Sequence, residues 1–526
     1  MNMQATYNYI KRVFSEFAFF LLLFPLFFIY SGYNELFGFL TFKYVFGNFL
    51  IILSIAACIF VLFFFIFRNI KKAAVYCFLI ELVLLVFGFI HDSLKTFGIT
   101  AFLTKYTILI PVIIVIFIIL FFLVRRSKRN FSDLFTFLNL LFLILLLSEI
   151  PNSIKRYQLD KSVHNLIDFR FTAFHNYAPQ NKQADTSKPD IYLLVFDALG
   201  STTSIKTHLD FDNSNLDSFL KKNGFFVLKN AKANYNWTIY SMSTMFNLEY
   251  LPHWIVPVMN EPKVHFWGTE ALKNNSLFQI LKSENYKIYN YQPLSFDNND
   301  WPGPPYFGFF KTQHFYFKTL PGRLQRDIFW NFMTTDISLI KNKQLIAIEE
   351  RNKQQKALLD TTIALVKKTC SLEPIPKFIY GHFMTTHDPY IFDSTGKVLG
   401  GEQALAKNKK NEAKDYINQV KVADSIINEL VQHIKQTNKQ NTIIIVTGDH
   451  GFPTEIINRS GYSFDMFSAF YFPDQQYATL NDNIQPINYF RIILNKFFKT
   501  NYPLLKDSSV VVTTETELIK KGTSIK

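Results

Sequence analysis

Three stretches of the chain carry side chains suited to holding a divalent cation, and a fourth carries a hydroxyl that such a cation could activate. In "LLVFDALGSTT" an apolar run ends in Asp197; in "TIIIVTGDHGF" another ends in Asp449 and His450. In "GHFMTTHDPY" His382 and His387 stand five residues apart, and "NYNWTIYSMSTMFNLEYLP" places Thr238 at the start of a helical stretch. Two carboxylates and an imidazole form an O/N donor set suited to Zn²⁺ or Mn²⁺. A threonine hydroxyl beside such an ion can lose its proton and attack phosphorus or sulfur. A helix N-terminus beneath it would add N–H donors for the oxyanion oxygens. Each residue taken singly has a plainer reading. Thr238 could be an N-cap, His382 a satisfied buried histidine, and Asp197 and Asp449 turn formers. Four such sites in series at strand ends carry more weight than any one of them.

These residues need a frame, and the pattern around them supplies one. Short β-rich runs fall at 191–196, 286–292, 377–383, 442–447 and 468–472, and helical patterns at 274–283, 347–369, 411–437 and 486–498. The third helical pattern places Ile417, Val420, Ile426, Ile427, Leu430, Val431 and Ile434 along one stripe. Nearly continuous apolar strands alternating with helices predict an α/β domain with a mainly parallel central sheet and helices on both faces. Ligands bind such sheets at the carboxyl ends of the strands. Asp197, Asp449 and His450 stand at those ends, and His382 lies just before one.

The first 150 residues are of another kind. Apolar runs at roughly 14–33, 47–67, 73–90, 106–124 and 131–149 approach or exceed the length needed to cross ~30 Å of hydrocarbon. The first run is too long, and followed by too many others, to be a cleaved leader. Lys11 and Arg12, then Arg68, Lys71 and Lys72, then Arg125, Arg126, Lys128 and Arg129 mark alternate connections as cytoplasmic. The N-terminus is then cytoplasmic and everything after the fifth run lies outside. Glu81, inside the third run, reads as a bundle-facing or protonated carboxylate near one interface. The chain divides into 1-150, a membrane domain with five transmembrane helices; 151-188, an interfacial amphipathic helix and linker; and 189-526, a water-soluble domain. The segment "FDNNDWPGPPYFGFF", 296–310, reads as a surface loop.

Charge follows the same division. Of the net +14, residues 1–156 contribute 14 Lys/Arg against 6 Asp/Glu, so much of the basicity sets topology. The soluble part is only mildly basic and has no nucleic-acid motif, so no nucleic-acid partner is expected. Cys58 and Cys77 fall in apolar runs and Cys370 is alone, which excludes an intradomain disulfide and a cysteine zinc cluster in the soluble part.

The order Asp…Thr…His-x₄-His…Asp-His-Gly resembles the alkaline phosphatase/sulfatase superfamily. Within it, the chain looks like the membrane-anchored phosphoethanolamine transferases and lipoteichoic-acid synthases, which also join five N-terminal spans to an extracytoplasmic sulfatase-like domain. "TIYSMSTMFN" is similar to the nucleophile segment of those transferases, "HFMTTHDPY" keeps their histidine spacing, and "GDHGF" matches the superfamily's metal-binding Asp-His-Gly. The resemblance implies that Asp197, Thr238, Asp449 and His450 hold one divalent ion, with Thr238 the nucleophile. It implies that His387 binds the phosphate or protonates the leaving group, and that His382 supports it or lines a second metal position. It implies a multi-pass protein of a bacterial-type inner membrane with a periplasmic catalytic domain. There it would move a phosphoethanolamine- or phosphoglycerol-type headgroup from a phospholipid donor to an envelope lipid or glycan, through a phosphothreonine intermediate. Departures stand beside the match: Asp197 replaces the usual Glu, the disulfides common in these transferases are absent, and Thr238 lacks the x-Pro-x-Arg that follows a sulfatase nucleophile. The last point disfavours a formylglycine sulfatase. A phosphodiesterase or phosphatase using the same site, and a non-catalytic membrane scaffold, are the alternatives.

Overall fold

A computed structural model describes residues 3–35, 42–96, 104–170, 177, 188–250, 271–273, 275–291, 316, 318–325, 338–372, 376–405, 412–437, 441–453 and 464–511. Two compact units emerge: Met1–Ser162 with Phe307–Lys341, and Val163–Tyr306 with Asn342–Lys526. The first unit therefore includes a segment that interrupts the second in sequence. The loop 296–310 lies outside the described residues.

The first unit is built on α1 (Met3–Glu16), α2 (Phe20–Glu35), α3 (Phe42–Phe67), α4 (Ile70–Thr96), α5 (Tyr106–Arg126) and α6 (Ser132–Arg170). Among the described residues, four helices are long and apolar enough to cross a membrane: Phe42–Phe67, Ile70–Lys95, Tyr106–Arg126 and Ser132–Ile154. The run expected at 14–33 is divided. Its helix stops at Glu16 and restarts at Phe20, leaving an apolar helix of 16 residues, about 24 Å long. Asn139 of α6 satisfies the break, accepting from Phe20 N at 2.7 Å and donating to the carbonyls of Phe14 and Phe17. Without that side chain, backbone groups at the break would be orphaned in an apolar setting. Among the four, α4 is the central helix, with 56% of its apolar window buried against 6% for α3 and α5. Glu81 is accordingly turned into the bundle, its Oε1 3.6 Å from Cys77 Sγ. Past Ile150, α6 runs on through Pro151 to Arg170 without a break.

The interrupting segment docks on α4. Gly88 N–H donates to the Lys318 carbonyl at 2.9 Å, and a Cβ on Gly88 would stand 2.6 Å from that oxygen. Only glycine lets a foreign backbone approach a helix so closely. Arg323, on the turn Leu320–Arg323, forks onto both carboxylate oxygens of Asp92.

The second unit is an α/β layer. Its strands are β1 (Asp190–Phe196), β2 (Phe226–Val227), β3 (Lys287–Tyr291), β4 (Lys377–Phe383), β5 (Thr442–Gly448) and β6 (Ser468–Tyr471), in the order β2-β6-β5-β1-β4-β3. Pairs β1–β4, β1–β5 and β3–β4 are parallel; β5–β6 and β2–β6 are antiparallel. Strand alternation sorts the side chains to two faces. Tyr192, Leu194, Phe196, Ile379 and Val446 join one core with helices Ser214–Lys222, Ser338–Cys370 and Glu412–Thr437. On the other face, Phe378 meets Phe246, Phe278 and Phe490, with ring centroids 6.4, 5.6 and 5.9 Å away. Those rings belong to helices Thr238–Asn247, Ser276–Ser283 and Pro486–Phe497. Both faces are covered, as the unbroken apolar strands require. Each fully buried Ile, Val or Phe contributes roughly 1.5–3 kcal/mol, so the sheet is rigid where the polar residues emerge from it.

Candidate metal centre

Register brings the two carboxylates together. Phe196 on β1 is aligned with Gly448 on β5, so the next residues, Asp197 and Asp449, leave adjacent parallel strands at the same level. Val195 is aligned with His382 on β4, which sets that imidazole one residue below the edge. Gly448 is required here, because a Cβ would stand 2.6 Å from the Leu199 carbonyl in the turn that follows β1. Tyr416 braces the same turn, its hydroxyl accepting from Gly200 N and donating to the Ala198 carbonyl.

Asp197, Asp449 and His450 each offer a ligand atom, and these atoms lie within 4.8 Å of one another. Among the described residues they form the one such group. His450 Nε2 stands 3.7 Å from Asp197 Oδ1 and 3.5 Å from Asp449 Oδ2. Thr238 completes the set, with Oγ1 3.3 Å from Asp197 Oδ2 and 3.4 Å from His450 Nε2. It is the first residue of its helix, and the N-cap position belongs to Trp237. Thr238 is therefore not the N-cap that the sequence allowed, and its hydroxyl points to Asp197.

How the carboxylates are held tests whether a cation fits. Asp449 Oδ1 accepts from Ala198 N and His450 N, both at 2.9 Å, and Asp197 Oδ2 is approached by Thr238 and by His382 Nε2 at 3.2 Å. The other oxygen of each, Asp449 Oδ2 and Asp197 Oδ1, is buried without a hydrogen-bond partner. Two anionic oxygens left so would cost several kcal/mol between them. A divalent cation between them removes that cost, and the donor set fits one. His450 donates from Nδ1 to the Gly451 carbonyl at 2.8 Å, which leaves its Nε2 lone pair directed at the carboxylates.

The electrostatics agree. Burial pushes Asp197 up, but His387, His382 and His450 outweigh it and hold the carboxyl below the usual carboxylate range. Burial pushes His450 down, but Asp449, Asp197 and the Gly451 carbonyl outweigh it and hold the imidazole above its usual value. Mutual stabilisation of opposite charges in a buried cluster is the same field that would attract a metal ion.

His387 caps the short 3₁₀ turn Met384–Thr386 after β4, and its Nδ1 is 2.5 Å from the Asp388 carbonyl. It is the leading cause lowering Asp197, yet it is not in the ligand group. His382 is engaged by Asp197 on one side and by Tyr380, whose hydroxyl is 2.7 Å from Nδ1, on the other. Three contributors were not expected from the sequence. Tyr380 orients His382, Ser241 donates from Oγ to the Asp449 carbonyl at 2.5 Å, and Thr386 donates to the Asp197 carbonyl. Tyr380 had a signal, since residues i and i+2 of a strand share a face, and so had Ser241, one helical turn from Thr238. Thr386 had none.

Comparison with known proteins places this arrangement in a family. The sulfatase family model matches residues 189–496, and the chain belongs to that family. It is therefore a sulfatase-superfamily enzyme with apolar N-terminal helices. No curated protein matches the sequence. Among solved structures, the integral membrane protein lipooligosaccharide phosphoethanolamine transferase A (EptA) from Neisseria meningitidis is similar over 91% of this chain and 95% of its own, at 12% identity and a TM-score of 0.37. The C-terminal periplasmic domain of EcEptC from Escherichia coli, in complex with Zn, is similar over 63% of this chain and 92% of its own, at 11% identity and a TM-score of 0.36. A protein of the alkaline phosphatase superfamily from Vibrio parahaemolyticus covers 64% of this chain, with 75% of its own length matched, at 13% identity and a TM-score of 0.36.

Proposed function

We propose that the protein transfers a phospho-headgroup, of phosphoethanolamine or phosphoglycerol type, from a phospholipid donor to an envelope lipid or glycan. Asp197, Thr238, Asp449 and His450 would hold one Zn²⁺ or Mn²⁺, which when bound would lower the pKa of the Thr238 hydroxyl and offset charge on the phosphoryl group. The observation that carries this reading is the pair of carboxylates, each tied by one oxygen and unpartnered at the other, with Thr238 Oγ1 within 3.4 Å of Asp197 and His450.

Thr238 Oγ1, its proton released to solvent beforehand, attacks the headgroup phosphorus, the bond to diacylglycerol breaks, and a phosphothreonine diester remains. The leaving diacylglycerol oxygen takes a proton, for which His387, half-exposed after β4, is the candidate donor. An acceptor oxygen then attacks phosphorus, the bond to Thr238 breaks, and the acceptor's proton passes to His387. His382 would support the phosphate side of the site through Asp197. A membrane domain over 1-150, a connection over 151-188 and a periplasmic catalytic domain over 189-526 suit this chemistry. Donor and acceptor would then share one leaflet with the enzyme, raising their effective concentration. The resemblance of "TIYSMSTMFN" to transferase nucleophile segments supports transfer over hydrolysis.

Headgroup-labelled phospholipid supplied to membranes containing the protein tests the assignment. Label should appear on an extractable envelope lipid or glycan, and Thr238→Ala should abolish it. Label released only as a free phosphorylated headgroup would make the protein a phosphodiesterase. A phenotype unchanged by Thr238→Ala would make it a scaffold.

A further inference from the structure

Tyr380 lies outside the metal group, yet its hydroxyl touches His382, the histidine hydrogen-bonded to Asp197. It is fully buried on β4, two residues before His382 and on the same face. Its hydroxyl is 2.7 Å from His382 Nδ1, and His382 Nε2 is 3.2 Å from Asp197 Oδ2. A carboxylate accepts and does not donate, so Nε2 must carry the proton. In the neutral ring Nδ1 is then a lone pair, and the Tyr380 O–H must donate to it. Burial, with the Asp449 and Asp197 carboxylates, pushes the Tyr380 phenol well above its usual range, so that donor is always present.

We propose that Tyr380 is a positioning residue for the metal centre: it locks His382 in the Nε2–H tautomer, which clamps Asp197 Oδ2 and leaves Asp197 Oδ1 as the ligand oxygen. This rests on the metal-centre reading above. The chain of bonds runs one way, from Tyr380 to His382 to Asp197, and ends on the carboxylate whose other oxygen is the unpartnered one. The same ring stacks edge-on against Phe246 at 5.1 Å, on the helix that begins with Thr238. One side chain therefore braces the nucleophile's helix by packing and the ligand by hydrogen bonding. A further consequence concerns His382 itself. With Nε2 on Asp197 and Nδ1 on Tyr380, it serves a second metal only if both bonds break.

Tyr380→Phe isolates the hydroxyl, because the ring and its packing remain. In the full-length protein in bilayers, Zn²⁺ binding to the metal-free form should weaken by 10-fold or more, the scale seen when partners of metal ligands are removed. Histidine-labelled solid-state NMR of the metal-free protein, with His382→Gln identifying the resonance, should show His382 as the Nε2–H tautomer. In Tyr380→Phe the His382 Nδ1 resonance should shift as its hydrogen bond from the phenol is lost. His382→Gln keeps an N–H donor for Asp197 without needing Tyr380, so adding Tyr380→Phe to it should change the Kd less than twofold. A Kd within twofold of wild type for Tyr380→Phe, an equal loss in both backgrounds, or an Nδ1–H tautomer in the wild type would each overturn the proposal. Asp449→Ala separates the two readings: wild-type Zn²⁺ affinity there would remove the metal centre itself, whatever Tyr380 does.

Discussion

Asp197 and Asp449 are half-satisfied carboxylates, each fixed by hydrogen bonds to one oxygen and unpartnered at the other. Their types and their place after apolar runs were readable in the sequence, as were Thr238, His382 and His450. What could not be read was which oxygen each carboxylate would present, because that is set by the Ala198 amide and by His382 from segments far away in the chain. His450 gives the residue scale its prediction. Its imidazole is held above the usual value of ~6.5 by two carboxylates after the opposing effect of burial, and a ligand nitrogen must be unprotonated. Protons therefore compete with the metal below that raised pKa. Metal affinity should fall by about tenfold per pH unit on acidification below it, measured by titration of the metal-free protein between pH 8 and 5.5. An affinity flat across that range would remove His450 from the ligand set.

Elements carry the site because their register is fixed by burial. The expected strands at 191–196, 377–383 and 442–447 agree with β1, β4 and β5 to within a residue, since unbroken Ile, Val, Leu and Phe runs leave little choice. The two-residue β2 was missed, being too short to show a period, and helix Ser338–Cys370 begins nine residues before its expected start. The division of the first apolar run was also hidden, because its cause, Asn139, lies over a hundred residues away. Gly448 is the element-scale point of failure. Gly448→Ala sets a Cβ against the Leu199 carbonyl, so the turn after β1 must move; stability should drop by about 1–3 kcal/mol and metal affinity with it. Thermal unfolding and metal titration of that variant check both. Helix Glu412–Thr437 offers a second test. Burial raises its Asp424 carboxyl to about 7, with Asn213 opposing. A raised carboxylate pKa means that the folded form binds the proton more tightly. Its stabilisation is full below the unfolded value near 4 and is lost as pH rises through about 7. Comparing the unfolding free energy of the protein with that of Asp424→Asn from pH 4.5 to 8 should show a difference changing by at most about 1.4 kcal/mol per pH unit.

At the scale of the whole molecule, composition divides the chain into an apolar helical region and an α/β region, and the sulfatase family model matches residues 189–496. The path of Phe307–Lys341 into the first unit had no sequence signal. Glycine at position 88 and an Arg–Asp fork show their purpose only once α4 and the segment meet. In the proposed topology the basic connections Arg68–Lys72 and Arg125–Arg129 would face the cytoplasm, with the N-terminus on that side and the C-terminal unit outside. In spheroplasts, a C-terminal tag should be digested by added protease and an N-terminal tag protected; the reverse pattern would put the site in the wrong compartment for envelope acceptors.

The most direct test of the chemistry is mass spectrometry of the purified protein after exposure to phospholipid, with the peptide containing Thr238 sequenced. A headgroup-phosphate adduct on Thr238, absent from Asp449→Ala, is the expected result. Turnover of the phospholipid with Thr238 unmodified, or an adduct on another residue, would contradict it.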